Sequence, residues 1–145
     1  NVLVMGNRVD STPWRIAVQN PEAERGGHVA IVELEGQTLV TSGPYERYLE
    51  LDGVIYHHIL DTRNGYPIDT DLTSVSIITQ ESMLADALST AVYSLGLDKG
   101  MRLINSLESV EALFIDKNHN LYLSEGLKNK KIAYTISDPN FKVAN

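Results

Sequence analysis

Two residues in the sequence have the types and the spacing of a magnesium site. Asp86 and Thr90 lie four residues apart in the stretch ADALSTA (residues 85–91), and on a helix this spacing places both side chains on one face. A carboxylate and a hydroxyl are hard oxygen donors, which suit Mg²⁺ together with waters and substrate phosphates. The alternative is structural, since an early Asp complements the helix dipole and a Thr can bond to the preceding turn. The spacing alone favours the structural alternative, although the flanking alanines leave room for a ligand.

A second polar stretch, HHILDTRNGYP (residues 57–67), begins with two adjacent histidines. In a strand these side chains point to opposite faces, so only one of them can face a given site. Asp61 and Arg63 follow closely and favour a site at His58. His57 is interpreted as a solvated strand residue.

The stretch TSGPYER (residues 41–47) places small hydroxyl-bearing residues after a predicted strand. Such residues can approach a phosphate or a ring, and an ordinary loop explains them equally well. Ser42, His58 and Asp61 have the residue types of a hydrolase triad. No serine lies in a nucleophile-elbow pattern, which disfavours that chemistry.

Apolar residues recurring every three or four positions predict a helix over residues 82–95. Ser82 is its predicted N-cap, and Gly96 stands where a helix usually ends. A second short helix is predicted from Asp98 to Leu107. The first of these helices carries the Asp86 and Thr90 pair.

Alternating apolar residues with β-branched content predict strands through the rest of the chain. Glu35-Gly36 and Asp52-Gly53 each predict a hairpin between the strands that flank them. The fold class is therefore α+β, a mainly antiparallel sheet with a helix pair. The predicted strands cover residues 14–18, 28–34, 37–41, 45–51, 54–60, 72–79, 110–115, 121–123 and 131–136.

Composition narrows the classes of function. The chain of 145 residues fits one domain, and its net charge of -7 argues against nucleic-acid binding, which needs a basic face. The absence of cysteine excludes disulfides, Cys-ligated zinc and thiol catalysis. No apolar run approaches the ~20 residues that span a bilayer.

The chain resembles the ApbE family of FAD:protein FMN transferases. The family usually has Pro at the position of Thr62 and Thr at the position of Asn64. Because Asn64 keeps a hydrogen-bonding side chain before Gly65, we expect the turn there to be retained. The resemblance spans nearly the whole chain and rests on five segments in order: NVLVMG (1–6), PWRI (13–16), TSGPYER (41–47), HILDTRNGYP (58–67) and ADALSTA (85–91).

The resemblance implies an activity, the transfer of FMN from FAD to a threonine hydroxyl of an acceptor flavoprotein with release of AMP. It implies Mg²⁺ bound by Asp86 and Thr90 against the FAD pyrophosphate. His58 is the implied general base or phosphate partner. Asp61 is expected to orient His58 or its loop, and Ile59 to lie against the bound nucleotide.

The resemblance also bears on the extent and location of the protein. Residues 1–145 are expected to form a single domain, the C-terminal part of a transferase whose N-terminal half supplies much of the FAD pocket. Family members are typically extracytoplasmic and often lipoproteins, so we expect membrane anchoring through a segment absent from this chain. Two alternatives remain, a FAD pyrophosphatase that gives FMN and AMP, and a non-catalytic flavin-binding protein.

Overall fold

The computed structural model describes residues 1–23 and 26–144 and has the predicted α+β architecture. Its helices are α1 (Ser82–Ser106) and α2 (Glu125–Lys128). Its strands are β1 (Val2–Leu3), β2 (Trp14–Gln19), β3 (His28–Leu34), β4 (Thr38–Ser42), β5 (Tyr48–Leu51), β6 (Val54–His57), β7 (Leu72–Thr79), β8 (Glu111–Asp116), β9 (Asn120–Leu123), β10 (Tyr134–Ile136) and β11 (Lys142–Val143).

Six strands form the main sheet, in the order β1-β4-β7-β8-β9-β11. Neighbouring strands within this sheet are antiparallel, except that β11 runs parallel to β9. A second sheet has the order β10-β3-β2 and is antiparallel throughout. The prediction of a mainly antiparallel sheet is confirmed.

Successive residues along a strand of the main sheet pack into two different hydrophobic cores, one on each face, because side chains alternate along a strand. Leu39 and Ile78 pack on the side covered by the three-stranded sheet. Val40 and Ile77 pack on the other side, where α1 supplies Val92. The main sheet is therefore the middle layer of three, and its central strands are buried on both faces.

The hairpin predicted at Glu35-Gly36 is wrong. The strands before and after it, β3 and β4, belong to different sheets. Gly36 has φ of 60° and turns the chain from one layer to the next. Leu39 and Val40 explain the difference, because apolar side chains on both faces of β4 require a place inside the main sheet.

The hairpin predicted at Asp52-Gly53 is confirmed by the pairing of β5 with β6. The two residues have φ of 52° and 76°, the left-handed pair that a type I′ turn requires. The paired strands are shorter than predicted, because the chain beyond His57 leaves β5 and pairs Leu60 with Pro67. Both strands of the hairpin are largely exposed.

Helix α1 is broken where the sequence predicts its first segment to end. Gly96 has φ of 75° and ψ of 177°, a conformation outside any helix. The predicted N-cap is one residue too late, since Glu81 occupies that position. The Ser82 hydroxyl instead lies 3.2 Å from the Thr38 hydroxyl, which ties the start of α1 to the main sheet.

We expect Gly96→Ala to lower the free energy of unfolding by about 1–3 kcal/mol, because its backbone angles are accessible essentially to glycine alone. An added Cβ would come no closer than 3.8 Å to Thr70, so the loss would be conformational rather than steric. Within a regular helix the same substitution stabilises by about 1 kcal/mol. Urea unfolding followed by circular dichroism measures the sign of the change in the free energy of unfolding. A stabilised variant would contradict the assignment of a helix break at Gly96.

Candidate active site

A cavity of about 520 Å³ opens beside the N-terminal half of α1, where the two sheets and the β4–β5 connection meet. Residues far apart in the sequence meet here, with His58 from the end of the hairpin and Asp86 and Thr90 from α1. The other lining residues are Asn1, Val2, Ala17, Gln19, Leu39, Thr41, Ser42, Gly43, Tyr45, Glu46 and Arg47.

The burial of one side of α1 determines where Asp86 and Thr90 point. Ala85, Ser89 and Val92 are fully buried against the main sheet. Asp86 and Thr90 each follow one of these buried positions by one residue, so they lie at the edge of the buried stripe, exposed and open to the cavity. The predicted pair thus shares one helix face beside a cavity and does not pack inward.

Hydroxyl groups connect α1 to the end of β4. The Ser42 hydroxyl lies 2.7 Å from the Ser89 hydroxyl and 3.3 Å from the Thr90 hydroxyl. The Ser89 hydroxyl donates to the backbone carbonyl of Asp86 at 2.9 Å. The turn of α1 that carries the candidate metal ligands is therefore bonded to the sheet through Ser42.

His58 is held by the carbonyl of Arg47. Its backbone N–H and its Nδ1 both lie 3.1 Å from that oxygen. A carbonyl oxygen only accepts, so Nδ1 carries the proton and Nε2 of the neutral ring has a free lone pair. Such a ring can take a proton from a substrate group through Nε2.

His57 faces the opposite side, as the strand geometry predicts, but it is half-buried rather than solvated. Its ring packs edge-on against Tyr93 at 6.2 Å between ring centroids. Nε2 donates to the Ile68 carbonyl at 3.2 Å, and Nδ1 accepts from the Ile59 N–H at 3.3 Å. Burial lowers the pKa of His57, assisted by the neighbouring His58.

Asp61 does not line the cavity that holds His58, Asp86 and Thr90. Its carboxylate accepts from the Arg63 guanidinium at 2.6 Å and from the Arg63 N–H at 2.9 Å. These bonds lower the pKa of Asp61 to about 2. Asp61 therefore maintains the shape of its turn, and no described contact joins it to the His58 ring.

The turn that follows Asp61 has the expected form despite the unusual residues in it. The Asn64 side chain accepts from the Tyr66 N–H at 2.9 Å, and Gly65 has φ of 75°. The carbonyl of Asp61 accepts from the N–H groups of Asn64 and Gly65. Asn64 thus retains the local hydrogen bond on which the turn depends.

The predicted contact of Ile59 with a nucleotide does not fit its placement. Ile59 is 4% exposed and packs in the core between the main sheet and α1. An apolar side chain gains more free energy when it is buried in that core than at an open cavity. Its main chain is engaged as well, since its carbonyl accepts from the Ile68 N–H at 3.0 Å.

The donor set at α1 fits Mg²⁺ with a small number of protein ligands. Among residues 1–23 and 26–144 there is no group of three or more His, Cys, Asp or Glu side chains that could hold a metal ion. Within the same residues the Asp86 carboxylate has no hydrogen bond or ion pair. One free carboxylate beside one hydroxyl suits a cation that keeps waters and takes further oxygens from phosphates.

Tyr45 is a lining residue that the sequence does not single out. Its ring packs over Gly43, where any Cβ would collide with the ring and with the Thr73 carbonyl. Burial raises the pKa of Tyr45 to about 12, with the charge of Glu46 adding to the effect. The phenol is therefore neutral near pH 7 and cannot serve as a base. The Gly-Pro pair before it was the available signal, since it marks a constrained chain reversal.

The family model of the ApbE family matches residues 1–114. The chain belongs to the ApbE family. Two FAD:protein FMN transferases, from Klebsiella pneumoniae and Treponema pallidum, are each 40% identical to it, over 77% and 79% of this chain respectively. Among solved structures, the ApbE protein of Thermotoga maritima is 35% identical over 86% of this chain, with a TM-score of 0.75. The flavinyl transferase ApbE of Pseudomonas stutzeri is also 35% identical over 86%, with a TM-score of 0.65.

This ApbE-family chain spans about a third of the length of the relatives it matches. The matched part is 35% of the Klebsiella pneumoniae protein and 32% of the Treponema pallidum protein. It is 40% of the chain in the Thermotoga maritima structure.

The environment of His57 predicts a pH-dependent loss of stability. Its pKa is lowered in the folded state, so below the ordinary value of 6.5 the unfolded chain binds a proton that the folded chain does not. We expect the free energy of unfolding to fall as the pH drops from 6.5 through the folded-state pKa. His57→Gln should flatten this part of the profile, and denaturant unfolding from pH 4.5 to 8 measures both. Parallel profiles for the two proteins would contradict the assignment.

Proposed function

We propose that this chain, as the C-terminal part of a longer ApbE protein, supplies the metal and base side of a site that transfers FMN from FAD to a threonine of an acceptor flavoprotein. The observation that carries the proposal is the meeting of His58, Asp86 and Thr90 at one cavity. Family membership supports flavin chemistry, and the geometry supports the assignment of roles.

The metal role falls to α1. Asp86 and Thr90 would hold Mg²⁺, which when bound neutralises charge on the FAD pyrophosphate. The contacts of Ser42 with Ser89 and Thr90 hold this turn of α1 against the sheet, beside the cavity that Asp86 and Thr90 line. FAD phosphate oxygens and waters would supply the further oxygen donors that such an ion takes.

The base role falls to His58. Its Nε2 takes the proton of the acceptor threonine while the threonine oxygen forms a bond to the FMN-side phosphorus. The bond from that phosphorus to the bridging oxygen breaks, and AMP leaves with the bridging oxygen. Asp61 acts in this proposal only through the shape of its turn.

The rest of the longer protein provides the remaining FAD contacts, the acceptor site and, in this proposal, an extracytoplasmic membrane anchor. Within residues 1–23 and 26–144 no helix is long and apolar enough to cross a bilayer. The membrane anchor is part of the proposal for the longer protein.

We expect Asp86→Ala in the longer protein to lower the rate of FMN transfer at least about 100-fold, because the transition-state charge loses its electrostatic partner. Asp98→Asn is the matched control, since Asp98 is an exposed acid on α1 outside the cavity lining. Mass spectrometry of the acceptor after incubation with FAD and Mg²⁺ measures the added FMN. An Asp86→Ala variant with the full rate at limiting Mg²⁺ would remove the metal assignment.

We expect His58→Gln to lower the rate by about 10²–10⁴-fold, because the proton of the acceptor hydroxyl loses its acceptor. His57→Gln serves as control, since that side chain faces away from the cavity. Equal rates for His58→Gln and the parent protein across pH 5–9 would exclude the base role.

The same reactions separate the two alternative activities. Release of FMN and AMP with an unmodified acceptor would identify a FAD pyrophosphatase. Tight FAD binding without release of AMP would identify a non-catalytic flavin-binding protein.

A further inference from the structure

The hydroxyl groups between β4 and α1 form a chain of hydrogen bonds, and the bond from Ser89 to the Asp86 carbonyl determines which hydroxyl donates in each of the others. The Ser89 hydroxyl has one proton and donates it to the Asp86 carbonyl at 2.9 Å. The contact of 2.7 Å between Ser42 and Ser89 must therefore be a bond in which Ser42 donates.

The same reasoning extends to Thr90. Since the Ser42 proton is used towards Ser89, the contact of 3.3 Å between Ser42 and Thr90 is one in which Thr90 donates. The proton of Thr90 then points at the sheet, and its oxygen lone pairs are left for the cavity. A hydroxyl oriented in this way is a ligand for a cation and a poor donor to an anion.

We infer that Ser42 is a positioning residue for the cation site: it accepts the Thr90 proton and so presents the Thr90 oxygen lone pairs towards the space beside Asp86. This role rests on the proposed metal function of Asp86 and Thr90 and adds a residue on a different element. Ser42 itself does not bind the cation. It acts through Thr90 and, through Ser89, on the main chain of Asp86.

The surroundings of Ser42 explain why this residue can hold the geometry. It ends β4, where it pairs with Val75 of β7 in the middle of the main sheet. Ser89 is fully buried, so its hydroxyl has no water as an alternative partner. The adjacent Thr41 points to the opposite face of β4, where its hydroxyl bonds to Ser76 at 2.8 Å, so it does not compete for Ser89 or Thr90.

The test measures cation binding directly, with Mn²⁺ as a paramagnetic substitute for Mg²⁺ and FAD present, in the longer protein. We expect Ser42→Ala to weaken Mn²⁺ binding by about tenfold, as is usual for groups that orient a metal ligand. Ser42→Thr keeps the hydroxyl and should restore most of the affinity. Ser42→Cys keeps the size but offers only a weak acceptor, so it should bind nearly as poorly as Ser42→Ala.

Ser76→Ala is the matched control for stability. It breaks the hydroxyl pair between buried Ser76 and Thr41 in the same sheet without reaching α1. Thermal unfolding in the absence of metal should change in Ser76→Ala with Mn²⁺ affinity retained. Ser42→Cys should show a weakened Mn²⁺ affinity at temperatures at which its metal-free form is fully folded.

Asp86→Ala separates the failure of this inference from the failure of the proposed function. If Asp86→Ala abolishes Mn²⁺ binding while Ser42→Ala and Ser42→Cys bind as well as the parent protein, the role of Ser42 is wrong and the metal site stands. If Asp86→Ala also binds as the parent does, the metal site itself is wrong. Loss of affinity in Asp86→Ala and Ser42→Cys, with recovery in Ser42→Thr, supports both.

Discussion

The packing of α1 against the main sheet is the constraint on which the rest of the candidate site depends. Ala85, Ser89 and Val92 form the buried side of the helix, and this burial sets its rotation about its own axis. This rotation fixes the direction of the Asp86 and Thr90 side chains, because each follows a buried residue in the helix. A helix rotated by one residue would bury a carboxylate, at a large cost in free energy.

The sheet contributes orientation as well as support. Ser42 at the end of β4 bonds to the hydroxyls of two consecutive α1 residues, Ser89 and Thr90. Across the cavity, the Arg47 carbonyl fixes the proton of His58 on Nδ1. In both places a hydrogen-bond partner determines which lone pair of the neighbouring side chain is left free.

Much of this arrangement could be predicted from local sequence. The Asp52-Gly53 turn, the break at Gly96 and the opposite directions of His57 and His58 all follow from the preferences of adjacent residues. The spacing of Asp86 and Thr90 indicated a shared helix face, and the family resemblance implied the expected chemistry. The family model and its relatives confirm the resemblance, and the roles of the individual residues stay proposals.

Other features depend on the tertiary structure and were predicted wrongly or missed. The β3–β4 connection has the local signal of a hairpin, yet the two-sided burial of β4 places it in another sheet. Ile59 lies among site-like residues but is more stable in the core. Asp61 is close to His58 in sequence, whereas its bonds to Arg63 direct it into a separate turn. The role proposed for Ser42 rests on distances between hydroxyl groups that no one-dimensional pattern contains.

The three-layer arrangement also has a kinetic consequence. The end of β4, the segment after β6 and the first turns of α1 line the cavity. These segments come together only through pairings between distant parts of the chain. Contacts of high sequence separation form slowly, since the entropy of closing long loops is lost before they are made. Partly folded forms therefore lack the cavity, and any molecule that occupies it binds only the native chain and shifts the folding equilibrium towards it by mass action.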